Sequence, residues 1–264
     1  RSYIIDTIVK ITTGMINIID TFELKNQFLN ALPFNHIVID NFFTDDIAQS
    51  IAESFPSHSD DVWTVSYNNP VENKKACSHW DKFPASVYSA LYYLCSSDFI
   101  SILSRLTGNG FIFADYGLHG GGMHSHNRGG KLNIHKDYSV HPKLNYERNY
   151  NLIVYMTPDW NSEWGGGLEF WSHDEETNLP KECITKIENK FNRAVLFDTS
   201  QNSWHGLPQE LTCPENMARR SLACYYLTSL HKDNEMRRRA TFVPYGEQKN
   251  NPEIVEFCKA RSGL

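Results

Sequence analysis

Four places in this chain set a histidine and an aspartate two residues apart: His58 with Asp60, His79 with Asp81, His135 with Asp137, and His231 with Asp233. On a β-strand such a pair points to one face, because side chains two positions apart share a side of the pleat. Completed by one distant histidine, it forms a 2-His-1-carboxylate set, which suits non-haem iron(II) and leaves coordination positions open. Context separates the four. His135 and Asp137 end the strand-like run Lys131-Leu132-Asn133-Ile134, whereas the other three lie in loops or beside helix ends. There a surface histidine near an acid is the ordinary outcome. A third ligand should come from a late strand. His205, in Ser203-Trp204-His205-Gly206, follows the apolar Ala194-Val195-Leu196-Phe197 and has that place, although a lone histidine beside a tryptophan is otherwise a packed core residue.

Arg219-Arg220-Ser221 adds an independent element. A cosubstrate with two carboxylates that chelates a metal through one end needs the other end neutralised. Arginine supplies a planar, permanently charged fork for that carboxylate. Ser221 shares the face of Arg219 and can donate a hydroxyl hydrogen bond, while alternation turns Arg220 outward. The structural alternative is an Arg219 that pairs with a local acid.

These residues need elements to position them. Thr44 to Phe55 carries Ile47, Ile51 and Phe55 at a spacing of four, behind Thr44 as N-cap, and predicts an amphipathic helix. A second helix should start at Pro84 and run through Leu94, and a third should run from Asp98 to Leu106, with Ser97 as cap and Gly108 past its end. After Gly110 short apolar runs alternate with Gly, Pro, Asn and Asp. Eight strands are predicted: Phe111 to Tyr116, Lys131 to Asp137, Tyr150 to Thr157, Gly167 to Ser172, Glu182 to Glu188, Arg193 to Asp198, Trp204 to Leu207, and Arg219 to Leu227. The chain is thus expected to be mainly β with N-terminal supporting helices. Its architecture is a double-stranded β-helix, a cupin-like jelly roll in which two four-stranded sheets enclose a pocket.

Composition narrows the class of function. A hydrophobic fraction of 41% and a charged fraction of 21% are ordinary for a folded globular chain, and 13% aromatic residues favour sheet. The formal charge of -6 argues against a nucleic-acid partner. The isoleucine-rich start is broken by Asp6, Lys10 and Asp20 before it reaches membrane-spanning length, so no membrane partner is expected. Six scattered cysteines, without a C-x-x-C pair, read as reduced thiols and a cytoplasmic location. The basic run Arg237-Arg238-Arg239 reads as a solvated turn. Residues 1–32 read as an N-terminal arm, with Met15 as a candidate natural start. Residues 33–230 read as the domain, and 231–264 as a tail packed on it.

From Pro33 to Leu227 the chain resembles bacterial members of the 2-oxoglutarate and Fe(II)-dependent oxygenases related to prolyl 4-hydroxylase catalytic domains. The residues that carry this are Pro33 to Asp40, Gly120-Gly121-Gly122-Met123-His124, Gly130 to Asp137, His141-Pro142-Lys143-Leu144, Arg148 to Tyr155, Asp159-Trp160, Trp164-Gly165-Gly166-Gly167-Leu168, Trp204-His205-Gly206 and Arg219-Arg220-Ser221-Leu222. The resemblance implies Fe(II) held by His135, Asp137 and His205, and a 2-oxoglutarate salt bridge at Arg219. It also implies a hydrogen bond from the Tyr155 phenol to the same distal carboxylate. The reaction implied consumes 2-oxoglutarate and O2 and hydroxylates a small-molecule, peptide or protein substrate, with a prolyl residue or amino-acid-like group as the candidate. Asp137 speaks against the related halogenases, which lack this carboxylate. Trp164, Trp171, His124, His126 and Arg128 are candidate pocket-rim residues. The rivals are a non-catalytic jelly-roll module that binds a metal or ligand and a cupin metalloenzyme without cosubstrate; both leave Arg219 idle.

Overall fold

The computed structural model describes residues 14–17, 20–200, 202–231 and 236–262. Helix α1 (Thr21–Asn30) starts at Asp20, whose carboxylate accepts from the amides of Phe22 and Glu23. After β1 (His36–Ile39), α2 (Asp45–Ser54) begins behind Thr44, whose hydroxyl donates to Asp46 at 2.6 Å rather than capping the backbone. A hairpin of β2 (Val65–Asn69) and β3 (Glu72–Cys77) comes next, then α3 (Ala85–Leu94) behind Pro84 and α4 (Ser97–Thr107). The cap of α4 is Ser96, which accepts from the Phe99 amide, and not Ser97. Gly108 ends the helix in a left-handed conformation, φ 74°.

Ten further strands follow and a helix closes the described chain. They are β4 (Phe113–Ala114), β5 (Gly122–His126), β6 (Lys131–Lys136), β7 (Glu147–Tyr155), β8 (Leu168–Asp174), β9 (Leu179–Ile187), β10 (Ala194–Asp198), β11 (Trp204–Leu207), β12 (Arg219–Thr228) and β13 (Thr241–Phe242), then α5 (Pro252–Ser262). Among the described residues the expected eight strands are therefore thirteen, and the two separate sheets are one hydrogen-bonded path, β1-β10-β7-β12-β5-β3-β6-β11-β8-β9. The path rolls back on itself: the Thr185 hydroxyl of β9 donates to the Leu32 carbonyl just ahead of β1 at 2.9 Å. Thus the mainly-β jelly-roll class holds, with more strands than the apolar runs show.

Alternation sorts the side chains between two interiors. From β7 and β12, Leu152, Val154, Leu222, Cys224 and Tyr226 face a core built with Phe28, Ile51, Leu91, Phe99, Ile102 and Leu106 of the helices. On the opposite face of β12, Arg219, Ser221, Ala223 and Tyr225 line a cavity inside the roll. The helices thus brace the back of the strand that carries the cavity's polar groups.

Candidate active site

His135 on β6 and His205 on β11 are direct partners in an antiparallel pair, so one register brings together residues far apart in the chain. Asp137 follows β6 immediately. Its two carboxylate oxygens lie 3.6 Å from Nε2 of His135 and 3.6 Å from Nε2 of His205. All three residues are buried, and one ligand atom from each falls within a 4.8 Å set. Nδ1 of His135 bonds the Asn133 carbonyl at 2.9 Å, and Nδ1 of His205 bonds the Ser203 carbonyl at 2.8 Å. A carbonyl only accepts, so each Nδ1 carries the proton and each Nε2 presents its lone pair to the cavity. Burial and the neighbouring His135 hold the His205 imidazole down, to about 4, so the ring is neutral at neutral pH as ligation requires.

Asp137 is fixed from a second side by the Tyr225 hydroxyl, which donates to its carboxylate at 2.8 Å. Burial opposes the ionised carboxyl, but His135, His205 and the Arg148 guanidinium outweigh it and hold the group well below the usual carboxylate range. Arg148 is itself fully buried, sandwiched between the rings of Tyr138 and Tyr225 at 3.7 and 3.5 Å. Sequence reading gave neither Tyr225 nor Arg148 a role at the site, although Arg148 opens one of the runs that carry the resemblance. Tyr225 was reachable, since it shares the inward parity of Arg219 and Ser221 along β12.

Arg219 is 2% exposed and donates from Nε to the Gly166 carbonyl at 2.8 Å. Among the described residues it has no carboxylate partner, which sets aside the local-acid alternative. Gly166 is required here: its φ is +80°, and a Cβ would lie 3.0 Å from Cδ of Arg219. Ser221 pairs with Tyr155 of β7 and with His124 of β5. Tyr155 is fully buried, with the Arg219 guanidinium over its ring at 4.7 Å. Burial pushes its phenol up while Arg219 pulls it down.

One cavity of about 360 Å3 joins these groups, lined by His135, Asp137 and His205 together with Arg219 and Ser221. Its remaining walls carry Tyr67, Glu72 and Lys74 of the β2–β3 hairpin and Phe242 and Arg261 of the C-terminal segment. Phe242 stacks on His135 with ring centres 4.8 Å apart, and Arg261 pairs with Glu72. Sequence reading missed this hairpin and Arg261 altogether. Of the rim candidates, His124 and His126 line the cavity. Trp164, Trp171 and Arg128 do not: Trp164 packs edge-on against Trp160, Trp171 lies in a separate groove with Tyr245, and Arg128 donates to the Thr212 and Cys213 carbonyls.

Of the other His-x-Asp pairs, His58, Asp60, His79 and Asp81 do not line this cavity. His58 is more than a surface residue, since its Nδ1 bonds the Ser125 hydroxyl at 2.9 Å. Asp233 lies outside the described residues. The basic run is not a solvated turn throughout: Arg237 is 5% exposed and donates from Nε to the Asp137 carbonyl at 3.0 Å, clamping the backbone beneath the cavity.

The donor set fits a resident divalent iron and a dicarboxylate. Two imidazoles and a carboxylate converge from one side, and the same cavity holds the buried Arg219 guanidinium, which has no carboxylate partner among the described residues. No helix among the described residues is long and apolar enough to cross a membrane.

Residues 121–227 match the model of the 2OG-Fe(II) oxygenase superfamily. A 79-residue stretch, 30% of this chain, is 28% identical to mouse (Mus musculus) prolyl 3-hydroxylase OGFOD1, and the match spans 14% of that relative's length. Two of the solved structures that share the fold are the following. One is a prolyl hydroxylase from Trichoplax adhaerens in complex with a hypoxia inducible factor oxygen degradation domain peptide fragment, at 20% identity and TM-score 0.51 over 79% of this chain and 90% of that one. The other is the non-haem α-ketoglutarate dependent carbocyclase SnoK from nogalamycin biosynthesis, at 12% identity and TM-score 0.54 over 84% and 86%.

Proposed function

We propose that this chain, whose residues 121–227 match the 2OG-Fe(II) oxygenase superfamily model, hydroxylates an organic substrate, a prolyl residue or amino-acid-like group, at the expense of 2-oxoglutarate and O2. The observation that carries this reading is the single cavity that holds both the His135, Asp137 and His205 set and, with Ser221, an Arg219 that has no carboxylate partner among the described residues. Bound Fe(II) and 2-oxoglutarate supply, with O2, an oxidative decarboxylation to succinate and CO2 that puts one oxygen atom into a substrate C–H bond.

The chain's own residues do the binding and the orienting. His135 and His205 offer Nε2, fixed by the Asn133 and Ser203 carbonyls, and Asp137 offers the oxygen that Tyr225 leaves free. Arg219 takes the distal carboxylate of 2-oxoglutarate with its fork. The Ser221 and Tyr155 hydroxyls reach the same group from the facing strand positions. A carboxylate at position 137 fills the place a halide would need, so hydroxylation is favoured over halogenation. Phe242 stacks on His135 and forms part of the cavity wall beside it. The substrate class is taken from the likeness to prolyl 3-hydroxylase, in a fold that also serves a carbocyclase, so the chemistry of the site and not the fold must decide it.

Anaerobic titration with Fe(II) and 2-oxoglutarate tests the site. The wild type should develop the weak visible metal-to-ligand charge-transfer band, and His205→Ala should lose it; a folded, iron-loaded wild type without the band would point to a non-catalytic binding module. Prolyl peptides and free proline, incubated with iron, 2-oxoglutarate and air, test the substrate class by mass spectrometry. If none of them gains an oxygen atom, the prolyl reading fails while the oxygenase site stands.

A further inference from the structure

His126 of β5 is 2% exposed and lines the cavity, yet neither Nδ1 nor Nε2 finds a hydrogen-bond partner among the described residues. A buried polar ring left in this state is costly and marks a place where something absent from the bare chain completes the bonding. Its position shows what that is. His126 is the direct Cα partner of Arg219 across the β5–β12 pair, one row beyond the pairing of His124 with Ser221. Directly opposed residues put their side chains on the same face about 5 Å apart at Cβ. The ring is rooted firmly: the Gly130 amide bonds the Asn127 carbonyl at 2.8 Å, and a Cβ on Gly130 would lie 2.8 Å from Cβ of His126. Burial first, and Arg219 next, keep the imidazole neutral, so it has one N–H to give. Two donors, one charged and one neutral, thus face each other on adjacent strands.

On the footing of the oxygenase reading above, we propose that His126 donates its ring N–H to the distal carboxylate of the bound 2-oxo acid, opposite Arg219. It is a positioning residue that makes the cavity select a dicarboxylic over a monocarboxylic 2-oxo acid. A hydrogen bond to a charged group of this kind is lost in His126→Leu and kept in large part in His126→Gln, whose amide still has N–H to offer.

The test is an anaerobic charge-transfer titration of Fe(II)-loaded wild type, His126→Leu and His126→Gln with 2-oxoglutarate and with 2-oxobutyrate, which lacks the second carboxylate. The leucine variant should need about tenfold more 2-oxoglutarate, a loss of about 1.4 kcal/mol. The glutamine variant should recover most of that, and 2-oxobutyrate should titrate alike in all three. An unchanged 2-oxoglutarate requirement in His126→Leu, or an equal loss with both acids, overturns the proposal. Cobalt(II) absorption without any 2-oxo acid reports whether each variant keeps its metal site. A second measurement needs no destabilised variant: in zinc-loaded protein with 15N-labelled histidine, 2-oxoglutarate should protect one extra ring N–H signal, absent from His126→Gln, that 2-oxobutyrate does not. No such signal also overturns it. A wild type without the charge-transfer band fails the oxygenase reading itself, an outcome distinct from a band that His126 does not influence.

Discussion

The Asn133 and Ser203 carbonyls choose which nitrogen of His135 and His205 faces the cavity, and the Tyr225 hydroxyl chooses which oxygen of Asp137 is left. Outer partners of this kind tune metal affinity by roughly 10- to 100-fold. Tyr225→Phe should therefore weaken Fe(II) or Co(II) binding about tenfold in a direct metal titration, with the fold kept, because the ring still packs against Arg148. Arg219→Ala should raise the 2-oxoglutarate needed for half-saturation by about 100-fold, since a charge-assisted bidentate pair is lost in a buried site. Arg219→Lys should fall between, keeping the charge without the fork. At this scale the sequence was most legible. The His135–Asp137 pair follows from spacing together with its strand-like context, His205 from its place after a late apolar run, and the inward Arg219 and Ser221 from alternation, whereas Arg148 is held by ring stacking and backbone carbonyls, which leave no pattern that points to a role.

The β6–β11 pair is where element and site meet. Gly206, next to His205, sits so close to β6 that a Cβ would lie 2.7 Å from the Leu132 carbonyl oxygen and 2.8 Å from that of Asn133. Gly206→Ala should push the two strands apart, with a loss of about 1–3 kcal/mol in denaturant unfolding and a weakened metal site. Unchanged stability together with unchanged Co(II) binding would show that the strand pair can yield. The same scale shows why several elements escaped sequence reading. Helices α2, α3 and α4 repeat apolar residues at helical spacing against a core, so their pattern is plain. The β3 strand turns Glu72 and Lys74 inward, and β5 turns in His124 and His126, so neither shows an apolar run. A strand that lines a polar cavity reads as a loop, for the same reason that it matters to the chemistry. Arg237 fails in the opposite sense, since burial at backbone carbonyls is invisible in a run of three arginines.

Over the molecule as a whole, Asp40 at the end of β1 joins Arg193 and Lys190 ahead of β10. Arg193 first, and Lys190 with it, hold the Asp40 carboxyl down to about 2. The unfolded chain would ionise this group near about 3.9. Its folded pKa is depressed, so its contribution is complete above about pH 4 and is lost as the pH falls through about 2. Asp40→Asn should thus destabilise at pH 7, by about 1 kcal/mol or less because the group is partly exposed and screened, and the gap to wild type should close in acid. A gap that persists at pH 2 would assign the effect to packing. The cavity walls have a further consequence. His135, Asp137, His205 and Arg219 sit within residues 121–227, the stretch that matches the superfamily model, but Tyr67, Glu72 and Lys74 come from before it and Phe242 and Arg261 from after it. A chimera that exchanges the β2–β3 hairpin and the segment from β13 to α5 with those of a relative should transplant the choice of substrate while cosubstrate consumption stays as it was, which divides the chain into an inherited engine and an interchangeable mouth.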